Sequence, residues 1–207
     1  GGTTDMAIYI DGDIWHTMVL GIGGNHITSD IAHGLRLSIS QAEEIKKQYG
    51  YAVQSEINDN DFFSTRIFGE DKPVDISRKD LAMIVEARAE EIFDLVLQEI
   101  KRSGYDGLLP AGVVLTGGSS QLPGIRALAT SVLGLPVRVG RPENLLGLTD
   151  QLNNPAYSTS VGLLHWAMMM NEANPAAATG SRRGRKKGGS NHTFFDALRV
   201  WIKRLLP

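Results

Sequence analysis

The 207-residue sequence contains no cysteine. That absence excludes a disulfide framework and every metal site built on thiolates, and it fits a reducing compartment. The sequence also lacks any apolar run approaching the roughly 20 residues that a helix needs to cross a bilayer, so we predict no transmembrane segment. The first residue is glycine rather than methionine, and the chain opens in a loop-like stretch, so we expect a fragment of a longer protein.

The composition is that of a folded chain with an uneven charge distribution. Hydrophobic residues make up 42% of it, which is enough to bury a core in one domain or two small ones. From Arg182 onward, eight lysines and arginines stand against one acid, Asp196, so the tail carries +7 and the remainder −9 of a formal net charge of −2. A basic tail on an acidic body favours a polyanionic partner, either nucleic acid or an anionic membrane surface.

A strand, a loop and a helix are predicted around residues 113 to 133. The apolar run Val113–Leu115 stops at Gly117-Gly118-Ser119-Ser120, and helical spacing of apolar residues follows from Ile125 to Leu133. Such a junction presents free backbone N–H groups to an anionic or polar ligand, and the two glycines allow that ligand to approach closely. Taken alone, the loop is more simply explained as a tight turn.

A second glycine loop opens the chain. Gly1-Gly2-Thr3-Thr4 offers backbone N–H groups and two hydroxyls to a phosphate, and Asp5 is placed to reach a metal-bound water. A β hairpin is predicted next, with strands Met6–Ile10 and Ile14–Leu20 around the turn Asp11-Gly12-Asp13. The alternative is again a polar turn that binds nothing.

The glycine-rich stretch that starts at Gly21 predicts a loop before the first helix. Thr28 or Ser29 is expected to cap a helix that begins near Asp30. His26 has no second histidine or cysteine at metal-ligand spacing, so a structural role is favoured for it.

A second helix is predicted from Gln41 to Tyr49. Ser40-Gln41-Ala42-Glu43 fits a capping box at its start, and Gly50 ends it. Glu43 and Lys46 are three residues apart and therefore share a face of this helix, which is usually a solvated surface pair.

A small α/β insertion is predicted from Tyr51 to Leu109. Ala52–Ile57 and Phe62–Phe68 are expected to pair as strands, and Ser77 is expected to cap a long helix that Gly104 ends. Three basic residues on this helix are candidates for partner binding, with a plain charged face as the alternative: Arg78, Lys79 and Arg88.

The sequence beyond the glycine junction ends in a segment of different composition. A strand from Pro136 to Val139 and a helix from Tyr157 to Met170 are predicted first. Residues 171–192 then contain mainly alanine, proline, glycine, serine and basic residues, which predicts a disordered linker. No aromatic is interleaved with the basic cluster Arg182–Lys187, as base stacking would require.

Residues 193–207 predict an amphipathic helix on that tether. At about 100° per residue, its bulky apolar residues fall on one side, and most of its charged residues lie opposite. Insertion of the apolar face into an anionic membrane surface explains both the tether and the basic cluster, while nucleic acid and a partner groove are the alternatives. The residues predicted to bind the membrane are Phe194, Phe195, Leu198, Arg199, Trp201, Ile202, Lys203, Arg204, Leu205 and Leu206.

Several stretches together resemble the FtsA family of bacterial cell-division proteins, members of the actin superfamily. Gly1–Tyr9 is similar to the family's second phosphate-binding loop and hairpin, and Gly23–Thr28 to a stretch typical of the family. Ala42–Lys46 resembles the helix that presents a Glu and a Lys to adenosine in DnaK-type chaperones and bacterial actins. Val114–Gly124 is similar to the adenosine motif, and the tail is similar to a membrane-targeting helix.

The resemblance implies an α/β fold, the second half of an actin-like (ribonuclease-H-like) architecture. Subdomain IIA is expected from residues 1–50 and 110–170, including a return helix, with the smaller α/β subdomain IIB inserted at 51–109. The flexible linker 171–192 and the membrane-targeting helix 193–207 are expected to follow.

The resemblance also implies a function. We expect binding of ATP with Mg²⁺ and self-assembly into a filament on the cytoplasmic face of the bacterial cell membrane, at the division site. The FtsZ ring would be tethered there, with IIB receiving the C-terminal peptide of FtsZ, other division proteins as partners and no nucleic acid. The chain is expected to be an assembly protein rather than an enzyme, with slow ATP hydrolysis at most.

The residues that position an attacking water are expected outside this chain, so no catalytic residue and no direct metal ligand is assigned. The predicted nucleotide-binding residues are Gly1, Gly2, Thr3, Thr4, Glu43, Lys46, Gly117, Gly118, Ser119 and Ser120. Two alternatives on the same superfamily scaffold are a small-molecule kinase and an actin-like pilus assembly protein. The basic amphipathic tail disfavours the kinase, and the stretch Gly23–Thr28 disfavours the pilus protein.

Overall fold

A computed structural model describes residues 1–143 and 152–173 of the chain. The chain forms two compact units, Gly1–Leu164 and His165–Pro207, and of the second the structure describes residues 165–173. The predicted amphipathic helix 193–207 and the predicted linker beyond residue 173 lie outside the described residues.

The first unit opens with the predicted hairpin. β1 (Thr4–Ile10) and β2 (Asp13–Leu20) pair antiparallel, with Met6 opposite Met18 and an irregularity in register between Ile8 and Tyr9. Alternate residues point to opposite faces of a strand. Ile8 is buried on one face, while Tyr9, Ile14 and Val19 are exposed on the hairpin.

The first helix begins earlier than predicted. α1 spans Gly24–Leu35, so the expected start near Asp30 and the expected capping role of Thr28 or Ser29 are wrong. Gly23 is the N-cap, and its backbone N–H donates to Nδ1 of His26 at 3.1 Å, while the His26 N–H donates to the Gly23 carbonyl at 2.9 Å. His26 therefore takes the place of the glutamate or glutamine that usually stands at the third position of a capped helix, which confirms its structural role.

The second helix, α2, spans Ile39–Tyr49. Its N-cap is Ser38 rather than Ser40, because Ser38 and Gln41 form the reciprocal capping box: Gln41 N donates to Ser38 Oγ at 3.3 Å, and Ser38 N to Gln41 Oε1 at 3.2 Å. Glu43 therefore does not take part in the capping box that was predicted for it. Gly50 ends the helix as predicted, although its φ is −60° and its backbone is not left-handed.

The strand predicted at Ala52–Ile57 does not form. A 3₁₀ helix covers Gln54–Glu56, and β3 (Phe62–Thr65) pairs antiparallel with β4 (Val74–Ser77) instead. The α3 helix spans Arg78–Ser103 between the predicted ends, with Ser77 as N-cap and Gly104 in the left-handed conformation at φ 80°.

The glycine junction has the predicted order. β5 (Val113–Leu115) is followed by a 3₁₀ helix at Gly118–Gln121, by α4 (Ile125–Leu133) and by β6 (Val137–Val139), which pairs parallel with β5. A 3₁₀ helix at Pro155–Tyr157 precedes α5, which spans Ser158–Ala173 and so ends three residues beyond the predicted Met170.

One hydrophobic core joins α1, α2, α3 and α4. Its largest fully buried side chains are Ile27 and Ile31 of α1 and Leu81 and Val85 of α3. Phe63 of β3 belongs to the same core and stacks on Tyr49 with ring centroids 4.5 Å apart. The division into subdomains at residues 51 and 109 stays a prediction.

The C-terminal part of α3 is tied to the hairpin through a buried carboxylate. Glu99 is 6% exposed, and its Oε1 lies 3.0 Å from Nε2 of His16 on β2. Arg102 donates to Glu99 Oε2 at 2.8 Å. The hydrogen bond from Arg102 lowers the pKa of Glu99, and that from His16 adds to this effect against the opposing effect of burial.

Candidate functional site

The first turn of α1 is the point at which the separate predicted motifs meet. The Asn25 N–H donates to the carbonyl of Gly1 at 3.0 Å, which places the N-terminal loop against the helix. A Cβ at Gly23 would lie 2.7 Å from both the Gly1 and the Thr3 carbonyl oxygens. Only a glycine at position 23 therefore lets the loop and the helix approach this closely.

The glycine junction reaches the same turn from another direction. A Cβ at Gly24 would lie 2.1 Å from Ser119 Oγ and 3.9 Å from Nζ of Lys46. The missing side chain at Gly24 thus allows the loop after β5 to pack against the start of α1. Gly23 and Gly24 are site residues that the sequence analysis did not select, although a glycine pair at the start of a helix was a usable signal.

Lys46 of α2 is buried beside this turn. Its Nζ donates to the Gly24 carbonyl at 3.1 Å, to Thr28 Oγ1 at 2.8 Å and to Glu43 Oε2 at 2.5 Å. The residue is only 6% exposed, so the interpretation of Glu43 and Lys46 as a solvated pair is wrong. Burial of an ammonium is tolerated here because all of its donors are satisfied.

The Glu43 carboxylate is held in its ionised form. Burial raises its pKa, but the hydrogen bonds from Lys46 and Thr28, the charge of Lys46 and a contact from Lys47 together outweigh burial and lower the pKa to about 2. Thr28 Oγ1 lies 2.5 Å from Glu43 Oε2, and Lys47 Nζ lies 3.2 Å from Oε1. At neutral pH the Glu43 carboxylate is therefore ionised, and the Lys46 ammonium 2.5 Å away balances its charge.

The Gly117–Gln121 loop is held by hydrogen bonds on its other side. Gly117 has φ 91°, and its N–H donates to the Pro155 carbonyl at 3.0 Å. Thr116 Oγ1 lies 2.5 Å from Ser158 Oγ at the start of α5. Within the loop, Ser120 donates to the Gly117 carbonyl at 2.7 Å and is buried, so its hydroxyl serves the loop itself.

The remaining predicted residues of the N-terminal loop differ in what they offer. Thr4 Oγ1 donates to the Ile22 carbonyl at 2.7 Å and has a structural role. Thr3 is exposed, and its hydroxyl donates to Asp5 Oδ2 at 3.2 Å. Gly2 is exposed too, and a Cβ there would meet no described atom within 4 Å. Nucleotide binding by this set of residues stays a prediction.

The three basic residues predicted to bind a partner all make contacts within the chain. Arg78 donates to the Tyr49 carbonyl and to Asp61 Oδ2, both at 2.9 Å, and Lys79 pairs with Asp59. Arg88 donates two hydrogen bonds to Asp30 of α1, from Nε to Oδ2 at 2.5 Å and from Nη2 to Oδ1 at 3.0 Å. It also pairs with Glu91 on its own helix. Their role toward a partner stays a prediction.

The predicted membrane-binding residues, 194–206, lie outside the described part of the chain. Among the residues that the structure does describe, no helix is long and apolar enough to cross a bilayer.

Sequence comparison decides the family. Residues 1–162 match the family described as "Cell division protein FtsA". The chain belongs to the FtsA family of cell division proteins. The FtsA of Pseudomonas aeruginosa is 45% identical over 168 residues, which cover 81% of this chain and 40% of that protein. The FtsA of Neisseria meningitidis serogroup B is 39% identical over 204 residues, 98% of this chain and 49% of that protein.

The aligned chain therefore spans less than half the length of these two FtsA relatives. Among solved structures, MreB 5 of Spiroplasma citri bound to AMPPNP is similar, with a TM-score of 0.66 and 21% identity over 86% of this chain and 53% of the other. At that identity the likeness shows the fold alone. It confirms the actin-like fold. The family match confirms the predicted resemblance to FtsA.

Proposed function

We propose that this chain supplies the adenosine side of an ATP-binding cleft in an actin-like cell division protein that assembles into filaments and tethers the FtsZ ring to the cytoplasmic face of the membrane. One observation carries the nucleotide part: the first turn of α1 brings the Gly1–Thr3 loop, Glu43 and Ser119 to one place. The related MreB 5, crystallised with AMPPNP, supports the ligand class.

The residues present fit a nucleotide. A Cβ at Gly2 or at Gly117 would meet no described atom within 4 Å, so both glycine loops face open space. Backbone N–H groups would bind phosphate oxygens, and the Thr3 hydroxyl would exchange its bond to Asp5 for one to a phosphate oxygen. Asp5 would then accept from water bound to Mg²⁺. Bound ATP would supply the phosphate and ribose groups that join this half of the cleft to the rest of the protein.

ATP binding is tested by filling that space. At Gly2 an added Cβ would meet no described atom within 4 Å, so alanine should be tolerated. We expect Gly2→Leu to weaken ATP binding at least about tenfold, because its larger side chain would occupy the space that this proposal gives to the phosphates, whereas Gly2→Ala changes it little. Calorimetric titration of the whole protein that carries this sequence measures both. Absence of ATP binding by the unsubstituted protein would refute the proposal.

Membrane tethering is supported by the +7 charge of the tail and by its amphipathic spacing. Each lysine or arginine near an anionic surface contributes about 1 kcal/mol, so binding should require anionic lipid. We expect co-sedimentation with anionic but not with zwitterionic vesicles, and its loss in Trp201→Glu. Trp15→Glu, at an exposed tryptophan of the hairpin, is the matched control. Failure of the unsubstituted chain to bind anionic vesicles contradicts the tether.

Binding of the FtsZ peptide is assigned to the basic residues of α3. Because Arg78 and Arg88 also hold the fold together, the sharper variant is Lys79→Glu, where Lys79 and Asp59 are both solvent-accessible. We expect weaker binding of an acidic FtsZ C-terminal peptide in this variant, with Lys101→Glu at the opposite end of α3 as control. Unchanged affinity after charge reversal at Arg78, Lys79 and Arg88 together would remove the assignment.

The family match favours this function over the small-molecule kinase and the pilus assembly protein. On this proposal the chain acts by nucleotide-dependent assembly rather than by turnover of a small substrate.

A further inference from the structure

Asn154 is a half-buried residue whose side chain reaches the glycine loop after β5 from a distant part of the sequence. Its Nδ2 donates to Gln121 Oε1 at 3.0 Å, across 33 residues of the chain. Gln121 in turn donates from Nε2 to the Gly118 carbonyl at 3.4 Å. Two hydrogen bonds in series therefore lead from Asn154 to the loop Gly117–Ser120, which carries predicted nucleotide-binding residues.

The orientation of both side-chain amides follows from one backbone donor. Asn154 Oδ1 accepts from the Ala156 N–H at 2.9 Å, and a backbone N–H can only donate. Nδ2 of Asn154 must then face Gln121, whose Oε1 receives it, and Nε2 of Gln121 is left to face the Gly118 carbonyl. Reversal of either amide would set two donors or two acceptors against each other, so the bonds support one another as a set.

The loop stays attached to the segment after residue 153 when this series of bonds is cut. The Gly117 N–H donates to the Pro155 carbonyl at 3.0 Å, and Thr116 Oγ1 lies 2.5 Å from Ser158 Oγ. Neither contact uses the side chain of Asn154. Loss of the two amide bonds therefore leaves the loop in place but less firmly oriented, and a ligand site needs its atoms held to within about 0.5 Å.

We propose that Asn154 is a positioning residue for the nucleotide site, which acts through Gln121 on the Gly118 carbonyl and so fixes the loop Gly117–Ser120 in its nucleotide-binding form. This inference rests on the proposed nucleotide binding and deepens it, since it adds to the site two residues, Asn154 and Gln121, that no sequence pattern selected. Neither side chain is assigned a contact with the nucleotide.

The proposal is tested with Asn154→Asp, which separates the two roles of this side chain. The carboxylate still accepts from the Ala156 N–H and so keeps the N-cap of the 3₁₀ helix Pro155–Tyr157, but it has no N–H to donate to Gln121. The Gln121 amide should then reverse and turn its oxygen toward the Gly118 carbonyl. In calorimetric titration of the whole protein that carries this sequence, we expect about fivefold weaker ATP binding, the equivalent of one hydrogen bond. The midpoint of urea unfolding without nucleotide should be unchanged.

Asn153→Asp is the matched control, because a negative charge added near an anion weakens its binding through space. Asn153 is exposed, and its side chain forms no hydrogen bond with the rest of the described chain. This variant should bind ATP within about twofold of the unsubstituted protein.

A double-mutant cycle shows whether Asn154 acts through Gln121. Gln121→Met removes the amide at an exposed position and should also weaken ATP binding about fivefold. Asn154→Asp should then add less than about twofold in the Gln121→Met background, because the series of bonds is already cut.

An uncharged variant gives the same answer if Asn154→Asp does not fold. Asn154→Ser keeps a capping oxygen for the Ala156 N–H, but its side chain is too short to reach Gln121. It should weaken ATP binding about fivefold, whereas Asn153→Ser should leave the affinity unchanged.

The outcomes separate this inference from the proposed function. ATP affinity within about twofold of the unsubstituted protein in both Asn154→Asp and Asn154→Ser would overturn the positioning role and leave nucleotide binding intact. A loss that persists in full in the Gln121→Met background, or one matched by a lower unfolding midpoint, would overturn it as well. Absence of ATP binding in the unsubstituted protein would overturn the proposed nucleotide function and this inference together.

Discussion

Glu43 should make the stability of this fold acid-sensitive, with no nucleotide present. Its pKa in the folded chain is about 2, against an ordinary value of 4.5. Burial opposes this shift, and the hydrogen bonds from Lys46 and Thr28 produce it. Because the folded pKa is the lower one, the stabilisation is fully present above pH 4.5 and is lost as the pH falls toward 2.

The size of the effect follows from that shift and from the exposure of the group. A shift from 4.5 to about 2 corresponds to at most about 3.4 kcal/mol. The Glu43 side chain is 34% exposed, so solvent screening reduces this to about 1 to 2 kcal/mol. Most of that amount should be lost between pH 6 and pH 2.5.

The assay is urea unfolding of the chain at both pH values, followed by circular dichroism. The unsubstituted chain should lose about 1 kcal/mol more than Glu43→Gln on acidification, since the glutamine does not titrate. Glu44→Gln is the matched control, because Glu44 is exposed and makes no ion pair with the described residues. If the unsubstituted chain and Glu43→Gln show the same pH dependence, the ion pair does not stabilise the fold and the reasoning fails.

Two further predictions concern stability, both measured by thermal or chemical unfolding. Gly112 has φ 76°, and a Cβ there would lie 2.1 Å from the Pro136 carbonyl oxygen, so Gly112→Ala should lower the free energy of unfolding by well over 2 kcal/mol. Gly134 has φ 66° but no described atom within 4 Å of an added Cβ, so Gly134→Ala should lower it by about 1 kcal/mol. Equal losses would mean that the loop before β5 moves away from Pro136. The two-bond ion pair between Asp30 and Arg88, which joins α1 to α3, should show a coupling of about 1 kcal/mol in an alanine double-mutant cycle, and a coupling of zero would reduce it to a surface contact.

Local signals predicted the elements whose ends depend on local chemistry. Ser77 and Gly104 mark the ends of α3, because a capping hydroxyl and a left-handed glycine act within one turn of the helix. α4 has the predicted bounds for the same reason, with Gly134 left-handed after its last residue. The hairpin was also readable, since its strands and turn are contiguous in the sequence.

Predictions failed where a distant segment decides the outcome. Phe62–Thr65 pairs with Val74–Ser77 rather than with the apolar run before it, and strand pairing of this kind has no signal within either strand. The glycines before α1 looked like a loop because nothing local shows that the Gly1 and Thr3 carbonyls occupy the space beside Gly23.

The candidate site follows the same division. Each of its motifs could be recognised separately in the sequence. That they all contact the first turn of α1 could not be predicted from the sequence. The burial of Lys46 depends on the Gly24 carbonyl, 22 residues earlier in the chain, so a spacing of three residues between Glu43 and Lys46 predicted only a surface pair.

The length of α3 has a mechanical consequence. Its 26 residues form one uninterrupted helix, which at 1.5 Å per residue is a stiff rod of about 39 Å. Near one end, Arg78 forms hydrogen bonds to the C-terminus of α2 and to the loop before β3. Near the other end, Glu99 forms a hydrogen bond to His16 of β2. Because one continuous helix carries both contacts, α3 links the turn around Asp61 directly to the strand that carries His16.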